Sequence, residues 1–116
     1  MIIRLIYILI VTFFLSSCAQ DEMTIMVERG IHLYELEQFD LAADEFIQVV
    51  FQMNQKDKLT LSETRLLSRS NYLLALTYSK KEWWKKAEEY AVKAFDLYPN
   101  EENKEILDLI KNKLSR

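Results

Sequence analysis

The chain has 116 residues, with 15 Lys and Arg, 18 Asp and Glu and a formal net charge of −3. That length allows one small domain, and the acidic balance gives no electrostatic basis for binding nucleic acid. Glycine, proline and cysteine occur once each, which excludes a glycine-rich phosphate loop and favours helices joined by short polar loops.

The amino-terminal segment has the anatomy of a signal peptide. Arg4 provides a positive charge, and an almost unbroken apolar stretch follows over residues 5–15, before small residues. A helix needs roughly 20 apolar residues to span a bilayer, so this shorter stretch suits a signal core better than a permanent transmembrane helix. We therefore predict a signal peptide over 1–17, a tether over 18–22 and a folded, exported domain over 23–116.

The apolar stretch ends in Leu15-Ser16-Ser17-Cys18, which resembles the lipobox of bacterial lipoproteins. In that family the cysteine thiol becomes a diacylglyceryl thioether, and cleavage makes the cysteine the first residue. The resemblance implies lipidation at Cys18 with fatty acids such as palmitate, and two or three acyl chains anchor far more firmly than one. Ala19 stands where some families carry an inner-membrane retention signal, so the resemblance favours the periplasmic face of the outer membrane. From the residues alone, an incidental or buried thiol is the alternative.

Five helices are predicted after the tether, because apolar residues recur at helical spacing and polar or hydroxyl residues interrupt the pattern. Their expected bounds are about Glu22 to Leu36, about Asp40 to Met53, Thr60 or Ser62 to about Ser79, about Trp83 to Leu97, and Asn100 to about Leu114. Pro99 ends the fourth helix, and a hydroxyl at Thr60 or Ser62 and the amide of Asn100 are the expected caps.

An internal repeat at an offset of 45 residues relates the first two helices to the next two. The matched residues are Gly30, Phe39, Ala42 and Phe46 with Ala75, Trp84, Ala87 and Ala91. Small residues are expected where the backbones of a helix pair approach, so we predict contacts of Gly30 with Ala42 and of Ala75 with Ala87.

The second copy, residues 68–101, resembles a tetratricopeptide repeat. Leu74, Ala75, Tyr78, Ala87 and Pro99 occupy the places that this repeat pattern requires, while Asn71 replaces its tryptophan. The resemblance implies an all-α fold, a short α-α superhelix of two tetratricopeptide-like helix pairs with a C-terminal capping helix. The 11 residues by which the offset exceeds a 34-residue repeat predict a lengthened third helix.

The same resemblance places a binding groove on the first helix of each pair. Its positions here are Val27, Ile31, Tyr34, Arg69, Tyr72, Leu76, Ser79 and Lys80. A mostly apolar strip flanked by cations suits an extended or helical peptide that carries a carboxylate. The alternative is self-occlusion by the third helix or the tether. Trp83, in the turn before Trp84, either anchors a partner or packs under the third helix.

Catalysis finds little support in these residues. His32 is interpreted as a solvated surface histidine, since no triad partner or second metal ligand accompanies it. We therefore predict a protein that is not an enzyme and that has no cofactor, no metal and no small-molecule substrate.

Lipobox, repeats and lengthened third helix together resemble the amino-terminal part of the tetratricopeptide lipoproteins of the outer-membrane β-barrel assembly machinery (BamD type). Those proteins carry about five repeats, so this chain matches less than half of the length of such a protein. The resemblance implies a membrane-anchored periplasmic scaffold for envelope proteins, with the β-barrel assembly protein as a partner. A pilotin or secretion-system lipoprotein, and a regulator of a peptidoglycan enzyme, are the alternatives.

Overall fold

The computed structural model describes residues 1–11 and 22–116, and in this part of the chain the fold is all-α, as predicted, without a strand. Its helices are α1 (Ile2–Glu35), α2 (Phe39–Asn54), α3 (Leu61–Lys80), α4 (Trp84–Leu97) and α5 (Glu101–Leu114). The bounds of α2 to α5 agree closely with those predicted, and α3 is the lengthened helix, at 20 residues.

The first helix begins much earlier than the sequence pattern suggested. We expected it to start near Glu22, whereas α1 begins at Ile2. No glycine or proline occurs before Gly30, so the sequence contains no residue that would end a helix strongly. Residues 2–11 carry large apolar side chains that are exposed to solvent, and this segment contributes nothing to the core.

Each helix packs against its neighbours in the sequence, and α3 also touches α1 and α5. Because short loops join packed neighbours, successive helices run antiparallel, so α1, α3 and α5 point one way and α2 and α4 the other. The fully buried side chains at the centre include Phe46, Val49, Leu74 and Ile110. The result is a repeat-like stack of two helix pairs closed by α5.

The 45-residue offset is visible in the backbone of two turns. Glu37, between α1 and α2, and Glu82, between α3 and α4, have φ values of 60° and 58°. In each turn the amide of the following residue donates to the carbonyl five residues before it, at 2.9 and 3.0 Å. This is the hydrogen bond of a Schellman motif, formed here around a left-handed glutamate where glycine is usual.

An aromatic ring occupies the space at Gly30. A Cβ built on it would lie 2.5 Å from Cε1 of Phe46, and the three nearest atoms all belong to that ring rather than to Ala42. The side chain nearest to this position is therefore that of Phe46, and the contact of Gly30 with Ala42 stays a prediction. A small residue is required at position 30 because the fully buried ring of Phe46 occupies the space between α1 and α2.

Side-chain caps begin the two helices where the sequence predicts them. Thr60, rather than Ser62, forms a capping box with Glu63: the hydroxyl of Thr60 accepts from the Glu63 amide at 3.2 Å, and the Glu63 carboxylate accepts from the Thr60 amide at 3.0 Å. Asn100 caps α5, with its side-chain oxygen accepting from the Asn103 amide at 2.8 Å.

Candidate binding face on helices α1, α3 and α5

Three helices that run in the same direction present side chains to one side of the stack. Tyr34 on α1 and Glu102 on α5 both lie close enough to Tyr72 on α3 to influence the pKa of its hydroxyl. The ring of Tyr34 also packs edge-on against Phe39, with centroids 5.4 Å apart. We call this surface the α1–α3–α5 face, defined by Ile31, Tyr34, Arg69, Tyr72, Leu76 and Glu102.

The predicted apolar residues of this face are divided between core and solvent. Ile31, Tyr34, Tyr72 and Leu76 are half-buried and pack against the core cluster, yet each keeps part of its surface exposed. Helical spacing keeps each pair on one side of its helix, three residues apart on α1 and four on α3. Two helices thus contribute a shared, partly solvated aromatic and aliphatic strip.

Val27 is a correction to the predicted groove. Its side chain is 5% exposed and belongs to the core cluster, so it is not accessible to a partner. The physical reason is that α1 packs extensively on α2, which draws this turn of α1 inward. Ser79 is half-buried, and its hydroxyl donates to the carbonyl of Ala75 at 2.7 Å, whereas Lys80 is exposed at the end of α3.

Both tyrosine hydroxyls remain protonated donors at neutral pH. Burial raises the pKa of Tyr34 above its usual value. Burial also raises the pKa of Tyr72, and the negative charge of Glu102 and a hydrogen bond from the Tyr72 hydroxyl to the Glu102 carboxylate raise it further, while Arg69 opposes this effect. The face therefore combines apolar rings with the Tyr34 hydroxyl, which can orient a peptide by donating a hydrogen bond.

A cleft of about 180 Å³ opens beside Tyr72, between α3 and the start of α5. Arg65 and Arg69 line it from α3, and the guanidinium of Arg65 lies 5.5 Å from the ring centroid of Tyr98. Neither arginine forms an ion pair with any described residue, although Glu102 also lines the cleft. The cleft can therefore accept a carboxylate through a planar guanidinium.

Sequence reasoning missed the buried polar cluster below this cleft. The side-chain nitrogen of Asn103 lies 2.7 Å from the carbonyl of Tyr98, 3.1 Å from the hydroxyl of Ser68 and 3.2 Å from the carbonyl of Ala94. The Ser68 hydroxyl donates to the same Ala94 carbonyl at 2.9 Å. This cluster joins α3, α4 and α5. Its signal in the sequence is that Asn103 falls in register with the apolar stripe of α5.

Asn71, which replaces the tryptophan of the repeat pattern, lies in a second cleft. Its amide nitrogen donates to the Leu67 carbonyl at 2.9 Å, while its buried side-chain oxygen has no partner among the described residues. The cleft, of about 280 Å³, lies between the end of α2 and helices α3 and α4. The oxygen itself has no exposed surface, so it does not present an acceptor to a ligand.

Trp83 lies away from the α1–α3–α5 face, at the turn between α3 and α4. Its side chain is 49% exposed, and its ring is stacked on Tyr78 with centroids 5.8 Å apart and planes 11° apart. One side of the indole therefore packs on α3, as one alternative predicted, and the rest is open to solvent. Its role as an anchor for a partner stays a prediction.

Other predicted features have simpler outcomes. His32 is exposed, as predicted, and the described residues contain no group of three His, Cys, Asp or Glu side chains that could hold a metal. The predicted lipidation site, Cys18, lies outside the described residues. Over the described ranges, none of the helices combines the length and the apolar character that crossing a membrane requires.

No protein-family model, curated protein or solved structure matches this chain. The resemblances drawn from the sequence therefore stay predictions, and functional inference rests on the surfaces described above.

Proposed function

We propose that the protein is a lipid-anchored scaffold of the bacterial envelope, attached through Cys18, whose α1–α3–α5 face binds a segment of another envelope protein. The observation that carries this proposal is the proximity of two half-buried tyrosines, Tyr34 and Tyr72, on neighbouring parallel helices beside Arg69, which forms no ion pair with a described residue. Tyrosine and arginine are the residue types that most often dominate binding energy at protein interfaces.

Chemistry of the face selects the kind of partner. An apolar strip along α1 and α3 favours aliphatic or aromatic side chains of a helical or extended segment. Arg69 and Arg65 favour a carboxylate at the end of the strip that faces α5. Because Tyr34 and Tyr72 are already packed against the core, little side-chain freedom is lost when a partner binds.

The amino-terminal segment supports attachment to a membrane. Residues 2–11 expose apolar side chains, with Ile3 82% and Leu9 67% exposed. Such a surface is stable when an export machinery or lipid takes it up and is unfavourable in water. By resemblance, the site of attachment is the periplasmic face of the outer membrane and the β-barrel assembly protein is the partner to test first.

Site-specific photo-crosslinking tests the partner proposal. A photoreactive residue replacing Tyr72 in the full-length protein is expected to trap an envelope protein in native membranes, whereas the same residue at the exposed Gln48 on α2 should not. Tyr72→Phe should retain the partner and Tyr72→Glu should lose it, because a carboxylate in an apolar contact is desolvated without compensation. Equal crosslinking from positions 72 and 48 would refute binding at this face.

Mass spectrometry tests the anchor independently. Protein purified from membranes is expected to begin at Cys18 and carry added acyl mass, and Cys18→Ser should leave an unprocessed precursor. A wild-type protein that begins at Met1 without acyl mass contradicts the anchor, whatever the outcome at Tyr72.

A further inference from the structure

An aromatic and basic surface lies at the end of the stack where α3 meets α4 and α5 ends. Residues 80–86 contain four lysines and two tryptophans around Glu82. Together with the end of α5 they line a shallow, apolar cleft of about 470 Å³. We call this surface the tryptophan end, and its lining residues are Trp83, Trp84, Lys85, Lys86 and Leu114.

Lysine ammonium groups surround the indoles of this cleft. That of Lys86 lies 5.7 Å from the ring centroid of Trp83, and that of Lys113 lies 5.8 Å from the ring centroid of Trp84. Lys81 stands 3.8 Å from the Trp83 centroid and also pairs with Asp40 on α2. Lys85, Lys86 and Lys113 are exposed and form no ion pair with the described part of the chain.

The charge of this end contrasts with that of the whole molecule. The protein carries a net charge of −3, yet Lys85 lines this cleft and the ammonium groups of Lys86 and Lys113 lie near its two indoles, all three without an ion pair to a described residue. Glu82 in the turn and Asp44, which lies close enough to Tyr78 to raise its pKa, oppose these lysines, and the charge of Asp40 is compensated by Lys81. The three exposed lysines outnumber these two carboxylates, so the tryptophan end is an apolar patch with a small excess of positive charge on an acidic protein.

We propose that the tryptophan end binds the surface of a bilayer that contains anionic phospholipids. Tryptophan favours the membrane–water interface because its ring is apolar and its N–H is polar. Lysines reach anionic headgroups while their aliphatic stems lie along the apolar surface. A shallow cleft with half of Trp83 exposed fits a broad lipid surface better than a deep pocket that encloses one side chain.

This contact does not depend on lipidation of Cys18, but together they would orient the domain. The pair between Lys81 and Asp40 places the tryptophan end beside the turn after α1, roughly 20 Å from Glu22 at a rise of 1.5 Å per residue. If the proposed anchor holds one end of this distance, the second contact lays the domain along the membrane.

Intrinsic fluorescence provides a direct test, because the chain has two tryptophans and both lie in this cleft. Full-length protein is reconstituted into phosphatidylcholine vesicles with or without phosphatidylglycerol, using lipids with brominated acyl chains as quenchers. We expect a blue shift and quenching in anionic vesicles that weaken as salt is added, since charge attraction to headgroups is screened. An amino-terminal anchor holds the protein on both kinds of vesicle, whether it is the acylated Cys18 or the apolar segment of an unprocessed protein. The difference in emission between the two vesicles therefore reports the contact of the tryptophan end.

Charge reversal identifies the residues responsible. Lys85→Glu combined with Lys86→Glu should lower the equilibrium constant for the membrane-bound, quenched state by more than tenfold, because each lysine near an anionic surface contributes roughly a fivefold factor to binding. Lys58→Glu combined with Lys104→Glu makes the same change in net charge at exposed positions away from the tryptophan end and should have little effect. If circular dichroism shows that the variant with both Lys85→Glu and Lys86→Glu does not fold, the test rests on the wild-type protein, whose quenching should depend on salt and on anionic lipid.

Three results would overturn the proposal. One is equal quenching in both kinds of vesicle, and another is equal loss in the two charge-reversed pairs. The third is an emission change with an acidic peptide such as polyglutamate but none with vesicles, which would make the patch a protein-binding site. Inorganic phosphate without vesicles should leave the emission unchanged.

Discussion

Gly30 lies so close to Phe46 that a methyl group at position 30 would approach the ring to within 2.5 Å. Glycine inside a helix costs about 1 kcal/mol relative to alanine. The buried ring of Phe46 explains this cost, because its position joins α1 to α2 at the centre of the first helix pair. The two residues act as a single packing unit.

Substitution of Gly30 is therefore expected to destabilise the protein even though alanine favours helices. Gly30→Ala should lower the free energy of unfolding by about 1–2 kcal/mol, and Gly30→Leu by more, because overpacking exceeds the gain in helix propensity. Thermal melts of detergent-solubilised protein measure the change.

The exposed His32 and the ring itself provide the controls. His32→Ala should change the melting temperature little. In a Phe46→Leu background Gly30→Ala should cost less than in the wild type, since the ring that it clashes with is gone. The contact is contradicted if Gly30→Ala stabilises the wild-type protein, or if it destabilises the Phe46→Leu variant as much as the wild type.

Asn103 should be important for the attachment of α5. Asn103→Ala removes the donor shared by Ser68, Ala94 and Tyr98 and leaves buried acceptors without it, which costs about 1–3 kcal/mol. Asn112→Ala, on an exposed part of the same helix, is the matched control. Chemical denaturation measures the stability of both variants. Equal denaturation midpoints for Asn103→Ala and Asn112→Ala would mean that the polar cluster does not stabilise the fold.

Glu82 adopts a backbone conformation that L-residues disfavour by about 1–2 kcal/mol. Glu82→Gly is expected to raise the free energy of unfolding, by up to about 1 kcal/mol, because glycine enters the left-handed region without a steric penalty. Glu105→Gly, in the interior of α5, should lower it by about the same amount. Opposite shifts in melting temperature for the two variants confirm the turn geometry, and a loss in both contradicts it.

The capping box of α3 predicts a pH dependence. A hydrogen bond from Lys56 and others from the Thr60 amide and hydroxyl lower the pKa of Glu63 from 4.5 to about 2. Since the folded state holds the charged form, this contribution is present above pH 4.5 and disappears as the pH falls from 4.5 towards 2. Glu63→Gln should therefore lose less stability than the wild type as the pH falls through this range. Glu105→Gln, at an exposed position, is the control and should lose as much as the wild type. If the difference in free energy of unfolding between Glu63→Gln and the wild type is the same at pH 4.5 and near pH 2, the capping box does not form in solution.

Sequence patterns predicted the helices well because their signals are local. Apolar spacing, the hydroxyl of Thr60, the amide of Asn100 and the stop at Pro99 depend on residues within a few positions of each other. The two turns of equal geometry, at Glu37 and Glu82, follow the same 45-residue offset.

Tertiary packing decided which residues form the candidate sites. The resemblance to tetratricopeptide repeats placed Val27 in the groove, yet its burial depends on how far α1 rotates against α2, which no local pattern encodes. Likewise, proximity of Tyr34 to Tyr72, and of Lys113 to Trp84, arises only when helices distant in sequence pack together.

The sequence by itself determined an all-α chain of helix pairs with a closing helix, because helix propensity, capping and amphipathic spacing act over one or two turns. Only the tertiary structure decided that the ring of Phe46 fills the space at Gly30, and that lysines from α4 and α5 converge on two tryptophans. The physical reason is that close packing and charge convergence depend on three-dimensional distances between side chains, and those distances are set by all the helices together.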